Sequence, residues 1–133
     1  MSPGTPLAEA AAVPAAVPRA GPGESLLWLL GRRRRFKVEG GSMEPTLADG
    51  DEVLVDPRAY RRRSPVAGEV VVALHPFVRG LRLVKRVARV EAGGAVALEG
   101  DNPGASTDGR TLGTVPPEGI LGRVTARWEG TAR

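Results

Sequence analysis

Ser42 and Lys85 are the two residues whose type and setting suit a reaction. Of five serines, only Ser42 sits in a stretch suited to exposure, Val38-Glu39-Gly40-Gly41-Ser42-Met43-Glu44-Pro45-Thr46-Leu47. The two preceding glycines let the backbone approach a ligand closely, and Pro45 stiffens the segment after the serine. A serine hydroxyl is a weak nucleophile until a base takes its proton. His75 is the one imidazole, and no His/Asp relay is apparent. An amine fits the inventory better. In Leu81-Arg82-Leu83-Val84-Lys85-Arg86-Val87 a strand period puts Leu81, Leu83, Lys85 and Val87 on one face. Arg82, Val84, Arg86 and Ala88 take the other. Burial penalises a charged ammonium, which is how an amine becomes a general base near neutral pH. Arginine stays protonated and cannot serve. The chain uses 17 Arg and only two Lys, so a lysine stands out. A plain Gly–Ser turn and a lysine snorkelling from a strand edge remain open on this pattern alone.

Composition narrows the surroundings. At 133 residues the chain is long enough for one domain. Without cysteine there is no disulfide, no thiolate–metal site and no Cys–His catalysis. With one histidine, no metal site or other cofactor is expected. The net charge of +4 admits nucleic acid or an anionic surface as partner, although an Arg-rich, Lys-poor composition also arises from coding bias.

The elements that must hold these residues read as β. Runs at 53–55, 70–74, 81–90, 95–98 and 119–127 are strands, separated by Gly- and Pro-bearing turns. A long, ordered and functional loop spans 99–118 and carries Gly100-Asp101-Asn102, Ser106, Asp108 and Arg110. Asp108 and Arg110 are placed to pair. Residues 1–23 hold seven Ala and five Pro and read as a disordered tail. Residues 24–35 join a short apolar segment, Leu26–Leu30, to the run Arg32–Arg35. They are expected as a one-turn helix with solvated arginines. The domain proper is 36–128, with a tail at 129–133. No apolar run approaches the ~20 residues of a membrane span, and no secretory signal is evident.

With those residues in place, a family resemblance emerges. Gly40-x-Ser42-Met43-x-Pro45-Thr46-Leu47 and then Gly50-Asp51-x-Val53 resembles the nucleophile box of the type I signal peptidases, which are Ser/Lys peptidases. Gly68-Glu69-Val70-Val71, Val84-Lys85-Arg86-Val87, Gly100-Asp101-Asn102 with Ser106, Asp108 and Arg110, and Gly122-Arg123-Val124 resemble the later boxes in order. The resemblance implies a mostly β, multi-sheet catalytic fold of the signal-peptidase/LexA-like kind. It implies Ser42 as nucleophile and Lys85 as general base, with Ser106 orienting that base. It further implies the Ser42 backbone N–H as oxyanion donor and Met43 near a pocket for small P1 side chains. Asp101, Asp108 and Arg110 would hold the loop. Some relatives carry a second oxyanion donor, a hydroxyl, where this chain has Gly40.

Within that family the chain resembles the small anchorless proteases that mature nickel-type superoxide dismutase, through Phe36-Lys37-Val38-Glu39 and Leu74-His75-Pro76. The implied partner is a precursor with a cleavable N-terminal leader, met in the cytoplasm. Membrane contact would be at most peripheral, at the inner face through Leu26–Leu30 and Arg32–Arg35. General processing of exported preproteins at the membrane is the rival. Two readings from other classes are a LexA-like self-cleaving regulator and a non-enzymatic basic domain that binds nucleic acid. No helix-turn-helix pattern precedes the domain, and aromatic residues to stack bases are lacking beyond Tyr60. Nucleic acid is therefore not expected as a partner.

Overall fold

The computed structural model describes residues 15–102, 104 and 114–128. Seven strands form one antiparallel sheet in the order β1-β2-β7-β3-β4-β5-β6. They are β1 (Arg34–Lys37), β2 (Glu52–Asp56), β3 (Val70–Leu74), β4 (Arg82–Val90), β5 (Val96–Glu99), β6 (Thr114–Val115) and β7 (Ile120–Trp128). A helix, α1 (Pro22–Leu29), precedes them, and a 3-10 turn (Pro117–Gly119) leads into β7. The mostly β architecture expected from the sequence is the one found.

The valine-rich strands explain the layering. β3 is central, and its side chains alternate between two apolar clusters. Val70 and Val72 join Val38, Met43, Leu47, Val53 and Val84. Val71 and Ala73 join Val87, Val96, Leu98 and Val115. A strand covered on both faces reads as a continuous apolar run, as Val70-Val71-Val72-Ala73 does. Irregular register at Leu54/Val55, Val72/Ala73 and Val87/Arg89 bends the sheet. Gly122 lies where β7 crosses β2. A Cβ there would stand 2.6 Å from the Asp56 carbonyl oxygen and 2.7 Å from Val55.

Three sequence expectations need correction. The tail assignment for residues 1–23 fails over 15–23. Arg127 N donates to Pro18 O and Ala20 N to Arg127 O, each at 2.8 Å, and Val17 is buried. These are main-chain bonds, to which an Ala/Pro composition is no guide. The helix runs eight residues, two turns rather than one, with a proline in its first turn. The arginine run is not simply solvated. Arg34 and Arg35 open β1, Arg33 pairs with Glu24 at 3.0 Å, and Arg35 pairs with Glu52. The Arg35 guanidinium also stacks 5.5 Å from the Trp28 ring and 5.0 Å from the Trp128 ring, fastening α1 to the sheet end.

Candidate active site

Lys85 sits mid-strand in β4 with only 2 % of its surface exposed. Its Nζ lies 2.9 Å from Ser42 Oγ, a hydrogen bond across 43 residues of chain. The expected apolar face for Lys85 is found. Arg86, expected on the opposite face, is also buried, at 7 % exposure, which the strand period did not reveal. A partner 15 residues away makes that burial tolerable. Arg86 Nε donates to Asp101 Oδ1 at 2.9 Å and an Arg86 terminal nitrogen to Oδ2 at 2.8 Å. Its other bonds reach Gly68 O at 2.6 Å and Ala15 O at 2.9 Å.

The loop bearing Ser42 hangs from the segment after β5. Asn102 N donates to Ser42 O at 2.8 Å, and Asn102 Nδ2 donates to Gly41 O at 3.0 Å. Thr46 Oγ1 donates to Asp101 Oδ2 at 2.6 Å. Asp101 thus ties its own loop to two other segments: β4 through Arg86 and the serine loop through Thr46. The first half of the serine loop is held from below. Gly40 N donates to Asp49 Oδ1 at 2.7 Å, and Val38 exchanges backbone bonds with Gly50 and Asp51. Gly40 has φ +82°, a conformation that glycine adopts without strain, so the turn into Ser42 needs glycine there.

Ser42 and Lys85 open onto a cleft of about 510 Å³. One wall is Phe36, Lys37 and residues 39–42, and the other is residues 80–85. β5 pairs with β4 only from Arg86 onward, so among the described strands the Arg82–Lys85 stretch is covered on the β3 side alone. β1 is an edge strand. The cleft therefore runs between two strand edges, the arrangement that accepts an extended peptide by main-chain pairing.

Met43 is placed otherwise than its expected neighbourhood suggests. Its side chain is 1 % exposed within the core cluster, and it is not among the residues lining the cleft. Ser106, Asp108 and Arg110 lie outside the described residues. Sequence reading missed Arg86 and Thr46 as supports of the site. The signal for Arg86 was its place beside Lys85 with an acidic residue in the next loop. Among the described residues, no three His, Asp or Glu side chains gather as metal ligands, and no helix is long and apolar enough to cross a membrane.

Known proteins resemble this chain across the same region. The family described as signal peptidase, peptidase S26, matches residues 27–93, half of the chain, including both Ser42 and Lys85. The mitochondrial inner membrane protease subunit 1 of Xenopus tropicalis is 34% identical over 107 residues, covering 66% of this chain. The chain spans 64% of that relative's length. A cleft between strand edges, with a hydroxyl and a buried amine in contact on its floor, occurs here inside the matched segment. The chain belongs to the signal peptidase, peptidase S26, family of serine peptidases.

Proposed function

We propose that the protein is a serine endopeptidase in which Ser42 and Lys85 form a catalytic dyad that removes an N-terminal leader from a precursor protein. The observation that carries this is the 2.9 Å contact between a buried amine and the serine hydroxyl at a peptide-sized cleft. In its neutral form Lys85 accepts the Ser42 proton as Oγ attacks the scissile carbonyl carbon. The ammonium so formed returns the proton to the departing amine, leaving an acyl-enzyme. A water molecule, deprotonated by the same amine, then releases the acid product and restores the serine.

The remaining roles are those of the family pattern. Ser106 would orient Lys85, and the Ser42 N–H would donate to the oxyanion. Asp101, Asp108 and Arg110 would fix the loop. Gly40 offers no hydroxyl, and its own N–H is engaged by Asp49. Turnover then rests on fewer oxyanion donors, and one donor is worth roughly 10²–10³ in rate. The substrate would lie extended between the Phe36–Ser42 and Arg82–Lys85 edges.

For the substrate, the Phe36–Glu39 and Leu74–Pro76 similarities favour the precursor of nickel-type superoxide dismutase. The metal hook of such an enzyme uses its own α-amine and cannot form before a peptide bond is cut. A second reading is general preprotein processing at a membrane. It is favoured by Leu26, Leu29 and Leu30, 54–72 % exposed beside the arginine run, and by the membrane location in the frog relative's name. The test is incubation with each class of precursor, then mass spectrometry of the new N-terminus. Cleavage of the dismutase precursor without vesicles supports the first reading. Cleavage only of preproteins presented on vesicles supports the second. No cleavage of either contradicts the proposal.

A further inference from the structure

The loop over residues 57–69 and the middle of β7 border a shallow, open recess of about 530 Å³, lined by Asp56, Arg58, Ala59, Arg61, Arg62, Arg63 and Arg123. Five guanidiniums line it with the Asp56 carboxylate, and Glu69 lies beside them through Arg63 and Arg123, so positive charge exceeds negative there by three.

The local carboxylates are already committed. Glu69 accepts from Arg63 at 2.7 Å, and Asp56 lies 3.7 Å from Arg33. Arg58, Arg61 and Arg62 are exposed and have no ion-pair partner among the described residues. Arg123 Nε is buried without a hydrogen bond and stands 4.0 Å from Glu69 Oε2. Guanidiniums that are not used internally and converge on one recess suit bidentate binding of carboxylates or phosphates.

One observation chooses between anionic polymers. The nearby ring, Tyr60, bonds Glu69 through its hydroxyl at 2.8 Å, is covered by Arg63 at 5.3 Å and packs against the core cluster of Val71 and Val87. A ring engaged in this way is not presented for a base to stack on. The place of the recess in the sheet points to the substrate. Val71 of β3 pairs with Lys85 on one side and Arg123 on the other. Paired residues share a face, so Arg123 at the rim of the recess lies on the Lys85 face of the sheet, two strands or about 10 Å along the backbone from Lys85.

We propose that this arginine recess is an exosite that binds an acidic segment of the protein substrate, away from the bond to be cut. The inference rests on the Ser42/Lys85 reading for its role, but the binding itself does not.

The test uses the whole chain and a fluorescein-labelled octa-glutamate peptide, with octa-glutamine as the neutral control, by anisotropy at two salt concentrations. Octa-glutamate should bind more tightly than octa-glutamine. Arg58→Gln/Arg61→Gln/Arg62→Gln should weaken it about tenfold and flatten its salt dependence. Ser42→Ala should bind like the native protein. All three arginines are exposed, so the triple variant should fold, as circular dichroism would verify. With a cleavable precursor, the triple variant should raise KM when an acidic segment is appended and leave kcat unchanged. A neutral short peptide should show no change in either. Equal binding of the two homopeptides, or an unaffected triple variant, would overturn the exosite whatever the fate of the dyad. Loss of octa-glutamate to competition by inorganic phosphate at similar molarity would reduce the site to a simple anion pocket and equally refute it. Tighter arginine-dependent binding of duplex DNA or phosphatidylglycerol vesicles would refute the acidic-peptide occupant. Loss of cleavage in native protein with binding intact would instead count against the dyad alone.

Discussion

Replacing Asp101 by Ala should damage stability and rate together, through one buried ion pair. The side chains of Arg86 and Asp101 are 9 % and 3 % exposed, and two guanidinium nitrogens contact the two carboxylate oxygens. Breaking such a pair strands a charge in low dielectric, at a cost of about 3–5 kcal/mol. Thr46 Oγ1 also loses its acceptor. On a domain whose whole stability is of order 5–15 kcal/mol, that is a large fraction. The same change frees the segment from which Asn102 holds Gly41 and Ser42. A displacement of about 1 Å at the nucleophile costs on the order of 10²-fold. Urea unfolding, monitored by the fluorescence of Trp28 and Trp128, measures the first effect, and cleavage rate under conditions where the variant remains folded measures the second. The double variant Arg86→Met/Asp101→Leu separates them. With both charges gone, most of the stability should return, whereas the rate should stay low because the ties to Thr46 and the loop are still missing. A single Asp101→Ala variant within about 1 kcal/mol of native stability and at full rate would refute this chain of reasoning.

Two further expectations concern the frame. Gly122→Ala should lower stability by about 1–3 kcal/mol, since its Cβ would overlap the Asp56 carbonyl and Val55, and the urea midpoint reads this directly. Glu69 sets an acid limit. Burial alone would raise its carboxyl, but hydrogen bonds from Arg63, Val66 N–H and Tyr60 outweigh that and hold it below the ordinary carboxylate range. Its stabilising contribution is therefore complete above the unfolded pKa of about 4.3 and disappears as pH falls through the lower folded value. Glu69→Gln should be less stable than native at pH 7, with the gap closing below about pH 4 in parallel melts.

The fold was legible where apolar residues recur in strand runs. β2, β3, β4, β5 and β7 fall within a residue or two of the expected runs. β1 was hidden because Arg34 and Arg35 read as solvated charge, while the packing of Arg35 comes from Trp28 and from Trp128, distant in sequence. β6 is only two residues within a stretch that reads as loop. At the site, Ser42 and Lys85 were visible from residue type, period and box order. The burial of Arg86 was not, because a two-residue period cannot reveal a partner supplied by a later loop. The seating of residues 15–20 on β7 depends on main-chain bonds that carry no side-chain signature.

The central claim is that a neutral amine at position 85 activates the hydroxyl at position 42. It is tested most directly by comparing cleavage rates of Lys85→Arg, Lys85→Met and Ser42→Ala with native protein. Arginine keeps the charge but cannot give up a proton. All three variants should fold and lose about 10⁴-fold or more in rate. A folded Lys85→Arg enzyme within tenfold of native would contradict the account.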